Sequence, residues 1–148
     1  MIVTVCNRQR LRRVDTRRLK AIATVALISV EASPDIQLNI VLVNDATIAR
    51  LNREYHHQEG PTDILSFDYG AGIGELIISV EHAENQAGRF HSTPSRELAL
   101  YVIHGILHLH GHDDLAPRPR ARMRAAEKKL LAAIAKTPGY RNLLLPAG

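Results

Sequence analysis

The 148-residue sequence has no tryptophan, only two phenylalanines and only four tyrosines. A core with so few large rings has to be built from Leu, Ile, Val and Ala. The same shortage leaves little material for a base-stacking platform, which argues against sequence-specific readout of a single strand. One cysteine, Cys6, excludes an internal disulfide. Inside the apolar run "MIVTVC" it reads as a small core residue rather than a nucleophile or ligand. No apolar stretch approaches the roughly 20 residues of a membrane span. The N-terminus shows no charged segment followed by a long apolar run, so no signal peptide is expected and cytoplasm is the default expectation. Internal repeats, low-complexity segments and linkers are also lacking.

What is present is ordinary in proportion: 45% apolar and 23% charged residues, the balance of a soluble globular protein. The length predicts one domain over residues 1–148. Charge is less even. The formal net charge is +4 and the isoelectric point about 9.6. Most of the cations are Arg, in "NRQRLRRVDTRRLK" near one end and "RPRARMR" with Lys128 and Lys129 near the other. Arg makes two-pronged contacts to phosphate, so the aggregate favours a polyanionic partner. For any single Arg a solvated face explains as much.

The periodicities read β-α-β-α-β-β-α-α-α, a mixed α/β fold with a small sheet of about four strands packed by helices. "IVTVC" is a short strand. Residues 15 to 32 carry a helical stripe at Leu19, Ile22, Ala26 and Val30, with Asp15 or Thr16 as cap and Ser33-Pro34 as stop. "DIQLNIVLV" reads as a strand entering a sheet interior. Asn44 or Asp45 caps a second helix bearing Ile48, Leu51 and Tyr55, and Gly60-Pro61 marks the loop after it. "ILSF" and "ELIIS" are strands joined through glycine-rich "DYGAGIG". A helix follows from about Val80 to Phe90. Thr93-Pro94 opens another to about His110, apolar on every side over residues 98 to 103 and therefore buried. A basic helix over roughly Arg118 to Ala135 ends the chain.

On the buried helix stands "HGILHLHGHDD", residues 104 to 114. His104 and His108 are one turn apart and share a face. Two imidazoles aimed at one point suit zinc, which takes His nitrogens at about 2.0–2.1 Å and, in catalytic sites, commonly three protein ligands with a fourth position open. Had the helix continued, His112 would lie about 12 Å along the axis from His104, too far for one ion. Gly111 can end the helix and turn the chain back, which makes His112, Asp113 and Asp114 candidates for the third ligand. The spacing His-x3-His-x5-Asp, with glycine three residues after the second His, has the layout of the metzincin zinc motif and points to Asp114. The alternative is a pair of core histidines satisfied by protein groups. His110, on another face, takes that bland reading. A peptidase of this layout needs Glu directly after the first His; Gly105 stands there.

These residues also carry a resemblance. "HGILHLHGHDD" resembles the signature H-G-x-L-H-L-x-G-(Y/H)-D-H of the YbeY family. "LNREYHHQEGPTDILSF", "GELIIS", "REL" and "MRAAE" are similar to that family's flanking motifs in the expected order, from about Val41 to Leu130. The sequence departs in three places: Asp114 stands where the family usually has His, His56 where it has Arg, and Asp68 where it has Pro. The resemblance implies a zincin-like, metal-dependent endoribonuclease with one Zn²⁺ per chain on His104, His108 and Asp114. It further implies single-stranded RNA as substrate, small-subunit rRNA 3′-end maturation and ribosome quality control as setting, and the small ribosomal subunit or its assembly factors as partners.

His56 and Glu59, in and before the loop leading to "PTD", are the candidate catalytic residues. Thr62, Asp63 and Ser66 either begin a strand after a proline turn or supply hydrogen-bonding groups to the metal cleft. Two other classes of function stay open. One is a metallopeptidase-like hydrolase, which Gly105 opposes. The other is a non-catalytic ribosome-assembly factor whose metal is closed by a fourth protein ligand.

Overall fold

A computed structural model describes residues 1–56, 62–113 and 115–145. Four strands, β1 (Ile2–Asn7), β2 (Gln37–Val43), β3 (Ile64–Asp68) and β4 (Ile73–Ser79), form one sheet in the order β1-β2-β4-β3. β1 and β4 flank β2 in parallel, and β3 pairs antiparallel with β4 at the edge. Five helices, α1 (Thr16–Ser29), α2 (Asp45–His56), α3 (Val80–Arg89), α4 (Pro94–Leu109) and α5 (Pro117–Ala135), follow the order read from the sequence. Among the described residues no helix is long and apolar enough to cross a membrane.

The alternation along β2 and β4 divides the core. Leu38, Ile40, Leu42, Leu76 and Ile78 face α1 and α4 and join the larger cluster. Val41, Val43 and Ile77 point the other way, under Ile48 of α2. Successive strand residues alternate faces, so one register fixes both layers. α4 runs through the larger core and is buried over most of its length, including Leu98, Ala99 and Tyr101 to Ile103. Its start is capped as the sequence implies: Thr93 Oγ1 accepts from the Arg96 amide, and Pro94 opens the first turn. Asn44 Oδ1 caps α2 through the Thr47 amide.

Two details differ from the sequence reading. α1 ends at Ser29, before the Ser33-Pro34 stop. The Ala32 amide returns to the Leu27 carbonyl and the Glu31 amide to Ile28, with Glu31 at φ 56°. A left-handed residue thus closes the helix before proline is reached. Cys6 is half-buried beside the smaller cluster rather than enclosed in the core. β1 is an edge strand, which leaves that face of it partly open.

Candidate metal centre

His104 and His108 project from α4 into a cleft of about 600 Å³. His56, at the end of α2, lies on its wall, as do Thr62, Asp63 and Ser66 from the start of β3. α5 closes the far side with Arg120, Met123, Arg124 and Glu127. Residues widely separated in the chain therefore meet where the edge strand, the end of α2, the buried helix and the basic helix converge. Glu59 and Asp114 lie outside the described residues. Among the described residues no group of three His, Cys, Asp or Glu side chains is arranged to hold an ion.

The helix end behaves as the glycine predicts. Gly111 has φ +88°. Its amide donates to the His108 carbonyl and the His112 amide to the Leu107 carbonyl, the paired bonds of a helix terminated by a left-handed residue. That turn brings the His112 carbonyl back onto His108, whose Nδ1 lies 3.1 Å from it. A carbonyl only accepts, so Nδ1 carries the proton and the Nε2 lone pair is free to bind. Among the described residues Nε2 meets no hydrogen-bond partner, and the ring borders the cleft. A protonated Nδ1 held by a backbone carbonyl is how ligating histidines are commonly oriented.

His104 is held differently. Its Nε2 is 2.8 Å from Glu127 Oε2, and its Nδ1 is 3.9 Å from Asp63 Oδ2. Burial disfavours charge on this ring, but the hydrogen bonds and charges of Asp63 and Glu127 outweigh it and raise its pKa above the ordinary value. For Asp63, burial alone would raise the carboxyl. The imidazole of His104, the Ile64 amide and the Thr62 hydroxyl prevail and hold its pKa below the usual value. The two donors to Asp63 are short and local, Ile64 N at 2.8 Å and Thr62 Oγ1 at 3.2 Å. Thr62 and Asp63 are thus a carboxylate mount before a strand, with the second Asp63 oxygen turned toward His104.

His110 and Asp113 of the His-rich run are engaged locally. His110 Nδ1 lies 2.8 Å from the Ile106 carbonyl, the satisfied histidine its position suggested. Asp113 Oδ1 accepts from the Leu115 amide. Gly105 has a packing reason: a Cβ there would overlap Ile64 Cδ1 and lie 2.7 Å from Leu76 Cδ2. A side chain at 105 would have to displace the ends of the Ile64 and Leu76 side chains.

Glu127 was missed as a site residue from the sequence, as was Asn52 on the cleft wall, whereas Arg120 and Arg124 belong to the basic run "RPRARMR". A signal for Glu127 existed. Met123, Leu130 and Ile134 are the buried residues of α5, and position 127 falls on the same stripe. An acid in an apolar stripe needs a buried partner.

The fold and cleft define a class: an α/β protein with two histidines one turn apart on a buried helix, flanked by carboxylates and covered by arginines. The family model for endoribonuclease YbeY matches residues 4–135. A relative from Heliobacterium modesticaldum, an endoribonuclease YbeY, is 40% identical over 114 residues, 66% of this chain and 69% of its own. One of the same name from Geobacter metallireducens is 32% identical over 145 residues, 90% of this chain and 96% of its own. The solution structure of TM1509 from Thermotoga maritima superposes with a TM-score of 0.62 at 25% identity, over 93% of this chain and 94% of that one. The chain belongs to the endoribonuclease YbeY family.

Proposed function

We propose that this chain is a zinc-dependent endoribonuclease that cuts single-stranded RNA. The observation that carries the reading is the meeting of His104, His108 and Asp63 with Arg120 and Arg124 in one cleft. The donor set fits a metal: His108 presents an unprotonated Nε2, and a carboxylate stands on each side of His104. His104 and His108 would hold one Zn²⁺ per chain, with Asp114 as third ligand on the spacing argument. When bound, zinc lowers the pKa of water toward about 7 and polarises a phosphoryl oxygen.

The chain's own groups supply the rest. Arg120 and Arg124 attract the RNA backbone and hold a phosphate against the histidines. Glu127 and Asp63 fix the plane of the His104 ring. An ion on one nitrogen of the His104 ring would displace the carboxylate there, and the carboxylate on the other side would remain as the orienting contact. His56, exposed at the rim, and Glu59 are the candidates to move a proton.

Family membership supports a role in rRNA maturation; within it the reading takes the small-subunit rRNA 3′ end and ribosome quality control as the setting, the cytoplasm as the compartment, and the small subunit or its assembly factors as partners. Peptide hydrolysis is disfavoured by the close packing at Gly105. The test is digestion of a single-stranded RNA by the purified protein and by His104→Ala and His108→Ala. The reading expects cleavage by the first and none by the folded variants. Undiminished cleavage by both variants would remove it.

A further inference from the structure

Aromatic residues are scarce in this chain, yet three of them gather on one side of the sheet. Phe67 and Tyr69, two residues apart, put their rings nearly parallel, 10° between planes and 6.3 Å between centroids. Tyr55 of α2 meets Phe67 edge-on at 5.7 Å. Tyr55 and Tyr69 remain 62% and 61% exposed, so these rings are not simply core. They line a groove of about 780 Å³ on the α2 side of the sheet, together with Arg8, Arg50 and Glu75.

The row does not stop in that groove. The His56 ring lies 5.7 Å from Phe67, tilted by 50°, and His56 is also a wall of the histidine cleft. Tyr69, Phe67 and His56 therefore form a continuous line of rings over the edge strand β3, from the groove on one face to the cleft at the other. No strand lies beyond β3 among the described residues, and Tyr69 in the line and Tyr55 beside it are exposed.

We propose that single-stranded RNA reaches the cleft along this track, its bases stacking on Tyr69, Phe67 and Tyr55 while Arg8 and Arg50 hold its phosphates. The inference rests on the RNA-cleaving reading above and adds a path for the strand. Rings interleaved with cations are what unpaired bases and their backbone require, and stacking tolerates any base. A duplex keeps its bases turned inward and has nothing to offer such rings. Among the described residues lining the groove the one acid is already engaged: Glu75 accepts from Asn39 Nδ2 at 2.8 Å and from the Tyr69 hydroxyl at 2.9 Å. Arg50 shares a surface pair with Glu54 at 3.7 Å, and Arg8 Nε touches Cys6 Sγ at 3.3 Å. Both guanidinium groups stand at the surface, where a phosphate can compete for them.

The test measures binding without chemistry. Fluorescence anisotropy of a labelled, unstructured RNA of roughly a dozen nucleotides is recorded with chelator-treated protein, for the native chain and for Tyr69→Ala, Tyr55→Ala and Tyr69→Phe. Loss of one stack weakens binding by about tenfold. Both alanine variants should show that loss, and Tyr69→Phe, which keeps the ring, should bind as the native chain does. Circular dichroism confirms that each variant is folded. Alanine variants that bind within about twofold of the native chain would overturn the track. So would a native chain that self-associates through this groove and binds RNA only as a monomer with the groove unused. Because no cleavage is read, failure here leaves the catalytic reading to its own assay, and failure of cleavage leaves this binding result intact.

Discussion

Glu127 on the basic helix lies 2.8 Å from Nε2 of His104 on the buried helix, a bond joining residues 23 apart in the chain. With Asp63 on the other side, it leaves the ring little freedom to turn. If the ion takes Nδ1 and Glu127 keeps Nε2, replacing Glu127 with Ala should cost about 10- to 100-fold in metal affinity or activity, the usual effect of removing the group that orients a ligating histidine. Competition with a chelating dye measures it. Unchanged affinity in a folded Glu127→Ala protein would mean that the bond plays no part in presenting the ring.

Gly105→Ala sets two effects against each other. Helix propensity favours alanine by about 1 kcal/mol. The new methyl would press into Ile64 and Leu76, and overpacking of this kind costs about 1–3 kcal/mol. Both neighbours come from the sheet against which α4 is fixed, so the overlap should win and the variant should lose about 1 kcal/mol or more. Urea denaturation decides the sign. A more stable variant would show that the sheet yields easily, and the packing argument against a glutamate at 105 would lapse.

Gly111→Ala places a side chain at φ +88°, at a cost of about 1–2 kcal/mol. Gly111→Asn should be tolerated better, since Asn visits that region more readily. The more telling effect concerns metal content, because the turn both positions the carbonyl that orients His108 and redirects the chain toward Asp114. Elemental analysis of Gly111→Ala should find less zinc than in Gly111→Asn. Equal content would show that the turn is dispensable for binding.

With the metal stripped, the charges around His104 make stability depend on pH. The His104 pKa is raised by folding, so its contribution is complete below its unfolded value of about 6.5 and disappears as pH rises through the folded value. The Asp63 pKa is lowered, so its contribution is complete above about 3.9 and disappears as pH falls through the folded value. The shared interaction is therefore fullest between about pH 4 and 6.5. The stability difference between chelated native protein and His104→Asn should be largest there and shrink on both sides. A difference that is flat with pH would contradict the arrangement.

Much of the centre was legible in local sequence. Thr93 and Pro94 start α4, Gly111 ends it, and four-residue spacing aims two histidines the same way; each of these acts within a turn or two. "PTD" was legible as a turn before a strand, but which way its acid pointed was not. That depends on β3 lying antiparallel beside β4 at the edge, against α4. Glu127 was hidden for a similar reason, since its partner is on another helix. The aromatic row shows the limit of composition. Few rings argued against a stacking surface, yet strand register and the end of α2 bring half of the Phe and Tyr residues, with His56, onto one path.

The central claim is that His104 and His108 grip a metal ion on which RNA cleavage depends. The most direct measurement is elemental analysis of the purified native chain beside His108→Ala, each then assayed on the same single-stranded RNA before and after chelation and metal return. The account predicts about one zinc per native chain, little in the variant, and cleavage that vanishes with chelation and returns with zinc in the native protein alone. A native chain that carries no metal and cuts RNA equally well in chelator would contradict it.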